Sequence, residues 1–263
     1  MASQEVIRIG KCIYCGAING KLSAEHAIPY GLSGNLVLHD ASCGDCARIT
    51  SAFEMHCLRG LLAKARARLN LKSRRPKPVA TVFKIDHGFG WEQSAQDAKQ
   101  FAGITPLPVF EPPAFLRGQR ADEQIRIRAL DPLDLGNPLP SLPSANTRGN
   151  VTVEFTIDMD VWAFARMLAK IGYCCAVAHL SLRRIGEVYV LPSILGQSND
   201  VQTWVGSEDI LFNRPANLLH QVEVFVSSGV VFARVCLFAA FGGNPYTVVV
   251  GKFRDETSGS LTG

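Results

Sequence analysis

Four cysteines stand in two Cys-x-x-Cys pairs, Cys12/Cys15 and Cys43/Cys46, and Glu25-His26 lies between the pairs. Zinc prefers four soft or borderline ligands in a tetrahedron at about 2.3 Å for sulfur, and a two-residue spacer lets one turn present two thiolates. Two such turns, separated by 27 residues, supply all four positions and leave none open for a substrate. Structural Zn²⁺ is therefore expected on Cys12, Cys15, Cys43 and Cys46, holding the fold and supplying much of its folding free energy. The alternative of redox dithiols would need a βαβ setting, and two of them so close together would be odd. Gly16 directly follows the first pair and suits the tight turn below the metal. Cys57, Cys174, Cys175 and Cys236 are scattered among apolar residues and read as small core hydrophobes in a reducing compartment.

Between the cysteine pairs runs Ser23-Ala24-Glu25-His26-Ala27-Ile28-Pro29, followed by Tyr30-Gly31-Leu32-Ser33-Gly34-Asn35. Phosphodiester hydrolysis needs an oriented water, a proton acceptor that titrates near neutrality and a cation on the leaving oxygen. A lone histidine near a strand end is usually packed or solvated, and an adjacent acid changes that little. Its position does change it, because the pair is bracketed by metal turns and a helix starts at the second turn. The Cys-x-x-Cys clamp, the Glu-His-x-x-Pro stretch, the Gly-rich loop and the second Cys-x-x-Cys opening a helix resemble the HNH, or ββα-metal, nuclease family. The resemblance covers about residues 10 to 60. It implies Glu25 as ligand of a catalytic Mg²⁺ or Mn²⁺, His26 as general base, and products carrying a 5′-phosphate and a 3′-hydroxyl. Oxygen ligands with a neutral imidazole suit those ions.

One position departs from the family pattern. Asn or His usually follows the last cysteine as a further metal ligand, whereas this chain has Ala47, then Arg48. Asn35, His39, Asp40, Glu54 and His56 are the candidates to compensate, Asn35 first because its loop follows the Glu-His strand, and Glu54 second. Without compensation the module is a weak nuclease or a catalytically dead binder. A second acid-imidazole pair, Asp86-His87, has no cysteine frame and reads as a solvated turn.

From Met55 to Ile85 there is no Asp or Glu, but there are nine basic residues: Arg59, Lys64, Arg66, Arg68, Lys72, Arg74, Arg75, Lys77 and Lys84. Solvated helix faces normally mix signs. On one continuous helix Arg48, Arg59 and Arg66 would share a face. A one-signed surface leaving a nuclease-like site fits contacts to the phosphate backbone, which add affinity without reading sequence. The expected contact set is Arg48, Arg59, Lys64, Arg66, Arg68, Lys72, Arg74 and Arg75, and the expected partner is nucleic acid, double-stranded DNA first.

These residues need elements to position them. Lys21 to Pro29 and Leu36 to Leu38 read as short strands. Ile49, Phe53, Cys57, Leu61 and Ala65 recur every fourth residue, which predicts a helix from Gly44 to about Leu71, weakened at Gly60 and stopped by Pro76. Residues 76 to 150 read as a Pro-rich connector with isolated strands such as Gln124 to Leu130. Val151 to Ile157 alternates like a strand, and Asp158-Met159-Asp160 resembles a helix start before a nearly all-apolar helix reaching Leu182. Strands at Gln221 to Val226, Val230 to Phe241 and Tyr246 to Phe253 form a meander. The fold class is thus α+β: a zinc-bound ββα-metal module over 1–75, the connector, and a larger α+β domain of unknown role over 151–263.

The 263 residues are 47% apolar and 19% charged with a net charge of +4, which describes a globular chain with a sizeable core. The start lacks the basic and apolar runs of a secretory signal, so a cytoplasmic location is expected. The most apolar run, Ile171 to Leu182, is shorter than the roughly 20 residues a membrane span needs. The helix is instead expected in a core or at a homodimer interface. Three functions compete: a divalent-metal endonuclease of host defence or mobile elements, a non-catalytic zinc module that binds nucleic acid while the C-terminal half recruits a partner, and a nuclease gated by that half.

Overall fold

The helical period that starts at Gly44 is broken where glycine meets a run of leucines. In the computed structural model, which describes residues 6–73, 80–86, 91–97, 104–119, 127–134, 152–155, 159–208 and 217–255, α1 spans Gly44–Arg59 and ends at Gly60, whose ψ of -108° is not helical. A separate short helix, α2, covers Ala63–Arg68. The single helix expected to reach Leu71 is therefore two, and the face that Arg48, Arg59 and Arg66 would have shared does not exist. Glycine lowers the barrier to that break, and Leu61 and Leu62 drive it by turning inward, 3% and 0% exposed.

Ahead of α1 lies a three-stranded sheet of β1 (Val6–Arg8), β2 (Ser23–His26) and β3 (Val37–Ser42), in the order β1-β3-β2. β1 runs parallel to β3 and β2 antiparallel to it, with Glu25 opposite Leu38 and His26 opposite Val37. Both short strands expected around the Glu-His pair are present, and β3 extends to the residue before Cys43.

The middle of the chain contributes two further sheets. β4 (Ala80–Asp86) pairs antiparallel with β5 (Trp91–Asp97) and with β8 (Thr152–Phe155). β6 (Ile104–Phe110) pairs antiparallel with β7 (Ile127–Asp134). The β6-β7 sheet is joined to the rest of the molecule: Tyr246 donates to the Pro108 carbonyl at 2.7 Å and the Phe110 N–H donates to Ser207 Oγ at 2.9 Å. His87, Arg74 and Arg75 lie outside the described residues.

α3, Val161–Leu180, begins where the acidic cap was expected: Asp160 accepts the Ala163 N–H at 2.9 Å, which satisfies one of the orphan donors of the first turn. It has the length and apolarity of a membrane span, yet 78% of its most apolar window is buried inside the molecule. After it come β9 (Ile185–Val188), the short helices α4 (Leu191–Ile194) and α5 (Val201–Trp204), and β10 (Val205–Ser207). β11 (His220–Ser227), β12 (Val230–Leu237) and β13 (Pro245–Phe253) form the expected antiparallel meander, but the strand expected to reach Phe241 stops at Leu237 and Ala239–Phe241 is a 3-10 turn. β9 and β10 complete the sheet by pairing with β13.

One cluster of buried side chains runs from Cys12, Ile13 and Leu38 through Phe53 and Leu62 to Phe164, Met167 and Leu168, and on to Val235 and Val248. α3 is its axis, with the meander packed on one side and α1 on another.

Candidate metal cluster and the site around Glu25

The chain passes Cys12 and Cys15 in a tight turn. Gly16 takes a left-handed φ of 76° there and returns its N–H to the Cys12 carbonyl at 2.9 Å, a conformation glycine adopts without penalty. Ile13 donates its N–H to Ala41 at 2.8 Å, which places this turn beside the end of β3. Cys43 then caps α1 and Cys46 lies in its first turn. As a result the four sulfurs all lie within 4.8 Å of one another, with Cys15 and Cys43 at 3.6 Å. A tetrahedral zinc thiolate site has sulfur–sulfur edges of roughly 3.8 Å. Burial raises the Cys12 thiol, but backbone N–H groups of Cys43, Cys15 and Tyr14 outweigh it and bring it down to about 7. Donors aimed at sulfur favour the thiolate there, whereas burial and the neighbouring thiols push the Cys46 thiol up. The cluster can hold a metal ion, and its donor set fits zinc.

The two residues between Cys12 and Cys15 anchor the turn to α3. Tyr173 donates to the Ile13 carbonyl, Tyr14 Oη lies 3.5 Å from Cys174 Sγ, and the two tyrosine rings are 6.0 Å apart. Cys57, Cys174, Cys175 and Cys236 are all buried, as expected of core hydrophobes.

Successive residues of a strand point to opposite faces, and that separates the Glu-His pair. Glu25 points inward and is 7% exposed. There it meets Lys170 of α3, whose Nζ lies 2.7 Å from Glu25 Oε1 and 2.7 Å from Glu54 Oε1. Lys170 is completely buried and also donates to the carbonyls of His26 and Ala27. Burial alone would depress its ammonium, but the two carboxylates override that and hold it well above the usual lysine range. Burial likewise pushes the Glu54 carboxyl up, against the pull of Lys170.

These residues do not fit a divalent ion at Glu25. A cationic side chain already lies against both carboxylates, Ala47 offers no ligand, and Asn35 is exposed. Glu25 and Glu54, expected as ligands of a catalytic metal, are paired with Lys170 instead. Of the other compensating candidates, Asp40 lies 3.3 Å from Arg8, His56 lies 4.0 Å from Asp160, and His39 stands on β3 opposite Arg8. Lys170 is the site residue that sequence reasoning missed. Its signal was a lysine in the middle of a largely apolar helix, which folding tolerates when buried only with anionic partners.

His26 is half-buried on the other face of β2, its ring 5.6 Å from that of Tyr30, over which Lys72 Nζ lies at 5.5 Å. Tyr30 opens a 3-10 turn, Tyr30–Leu32, that is held from both sides. Arg66 Nε donates to Gly31 O at 2.8 Å, and His220 Nε2 lies 2.8 Å from Leu32 O. Arg66 further donates to Leu58 O at 2.8 Å and Lys72 O at 3.1 Å. Its guanidinium staples three segments of backbone, so Arg66, expected among the phosphate contacts, has a structural role here. Arg48 is exposed and paired with Asp45 at 2.6 Å. Arg59 and Lys72 are exposed, while Lys64 and Arg68 are half-buried.

Comparison of the chain with protein-family models, curated proteins and solved structures gives no match.

Proposed function

We propose that the segment from β1 to α2 is a zinc-held ββα unit of HNH descent that binds nucleic acid through the phosphate backbone. The observation that carries this reading is the face formed by His26, Tyr30 and Lys72, together with a sequence from Met55 to Ile85 that holds no acidic residue. Phosphate contacts and an aromatic ring are what a sequence-tolerant nucleic-acid surface uses. Titrating a labelled 25-base-pair duplex across a salt series tests it, with the Arg59/Lys72/Arg68 triple Ala variant alongside. The variant binds more weakly, and its log–log salt slope falls by up to about 3, near 0.9 per lost contact. Unchanged slopes, or no binding by the wild type, refute the reading.

A second reading is hydrolysis by an HNH-type endonuclease, favoured by the half-buried imidazole of His26 on that same face. His26 would take the proton of the attacking water, and Glu25, facing the other way, has no part. Plasmid is incubated with wild type and with His26→Ala in chelator, Mg²⁺ or Mn²⁺. Cleavage lost in the variant supports catalysis; no cleavage under any condition, or equal cleavage by the variant, leaves binding alone.

A further inference from the structure

A lysine at 0% exposure in the middle of α3 requires a physical reason, because a desolvated ammonium without anionic partners gives up its proton. The reason is a cage of oxygens from separate elements. Glu25 on β2 and Glu54 on α1 each approach Lys170 Nζ to 2.7 Å. The His26 and Ala27 carbonyls, which follow Glu25 along the chain, also accept from it. Two carboxylates and two backbone carbonyls around one positive point are hard oxygen donors of the kind a Ca²⁺ or Mg²⁺ site uses, four of the six or more such an ion takes. With both carboxylates ionised, one ammonium leaves the cage one positive charge short of neutral, and burial, which pushes the Glu54 carboxyl up, lessens that deficit.

We infer that Lys170 is the resident cation of this oxygen cage, standing where a divalent ion would stand, so that Glu25 and Glu54 take up no divalent ion while it is present. A cation that is part of α3 cannot dissociate. It joins β2 and α1 to the core helix whatever the metal supply, and it fixes the backbone of His26 from behind. The inference is independent of nucleic-acid binding, since it concerns only what occupies the cage. Removing the ammonium exposes the corollary: the vacated cage becomes a divalent-cation site.

The test uses the zinc-loaded full chain and Mn²⁺ as probe, counted by loss of the free-ion signal in electron paramagnetic resonance. Wild type is expected to take up no Mn²⁺ that Glu25→Gln abolishes. Lys170→Ala is expected to gain one such ion. Its Tm should rise by about 5–10 °C once Mn²⁺ is about 100-fold above its Kd, and adding Glu25→Gln should remove the gain. Glu25-dependent Mn²⁺ uptake by wild type overturns the inference, as does a folded Lys170→Ala protein indifferent to Mn²⁺. Should Lys170→Ala not fold, the wild type and Glu25→Gln pair decides alone.

Discussion

His220 ties the Tyr30–Leu32 turn to the meander with a proton arrangement that only a neutral ring can keep. Nδ1 accepts the Phe238 N–H at 3.1 Å while Nε2 faces Leu32 O at 2.8 Å, so the proton sits on Nε2. Burial pushes the imidazole down to about 4 from its ordinary 6.5, partly opposed by the Leu32 carbonyl. The unfolded chain thus takes up a proton at higher pH than the folded one. Stability is complete above about pH 6.5 and falls as pH drops from there toward 4, by at most about 3 kcal/mol. Denaturant midpoints measured across that window should show the fall, and His220→Gln should flatten it; a flat wild-type profile contradicts the assignment. Lys170 belongs to the same scale. Lys170→Met leaves two buried carboxylates without their counter-ion, an expected loss of about 3–5 kcal/mol in chemical denaturation, and a loss below about 1 kcal/mol would mean the cage is not closed.

At the scale of elements, the turn between β2 and β3 is built by close approach. A Cβ on Gly34 would fall 2.0 Å from the Ile28 carbonyl oxygen, a backbone atom that cannot move aside without breaking the turn. Gly34→Ala is expected to cost more than about 2 kcal/mol and to weaken the presentation of Tyr30, read as a lower thermal midpoint. Near wild-type stability would show that the turn relaxes. Arg66 holds the same turn from α2. Arg66→Ala strips donors from three carbonyls and is expected to cost about 2–3 kcal/mol, again in the unfolding midpoint. Because its guanidinium is committed to backbone, that change should leave the salt slope of any nucleic-acid binding unaltered, unlike loss of Lys72.

For the whole molecule, the decisive feature is that the cysteine cluster and the meander share α3. Cys12, Ile13 and Tyr14 are buried with Tyr173 and Cys174 in the same cluster that contains Val235 and Val248. Arg166 of α3 stacks over Phe53 of α1 at 4.8 Å. Stripping metal with a strong chelator is therefore expected to lower the unfolding midpoint of the entire core by more than about 5 °C. Far-ultraviolet helix signal and near-ultraviolet tyrosine signal should fall together. Two separate transitions would show that the N-terminal segment melts by itself, and no change would show that the thiols need no metal.

Patterns local in the chain were legible without a fold. Cys-x-x-Cys spacing predicted the thiol cluster because a turn of two residues is enough to present two sulfurs. Alternation and turn residues predicted the meander, and Asp160 predicted the start of α3, since caps and pleats depend on near neighbours. Glu25-His26 could be found but not interpreted, because adjacency in sequence implies a shared site, whereas a strand sends neighbours to opposite faces. The end of α1 also depended on a competition that propensity does not settle: burying Leu61 and Leu62 outweighed continuing the helix. Lys170 lies 145 residues beyond Glu25, and no local pattern links them. Only the packing of α3 against β2 and α1 brings an ammonium between two carboxylates, and that long-range electrostatic pairing decides what the Glu-His segment can bind.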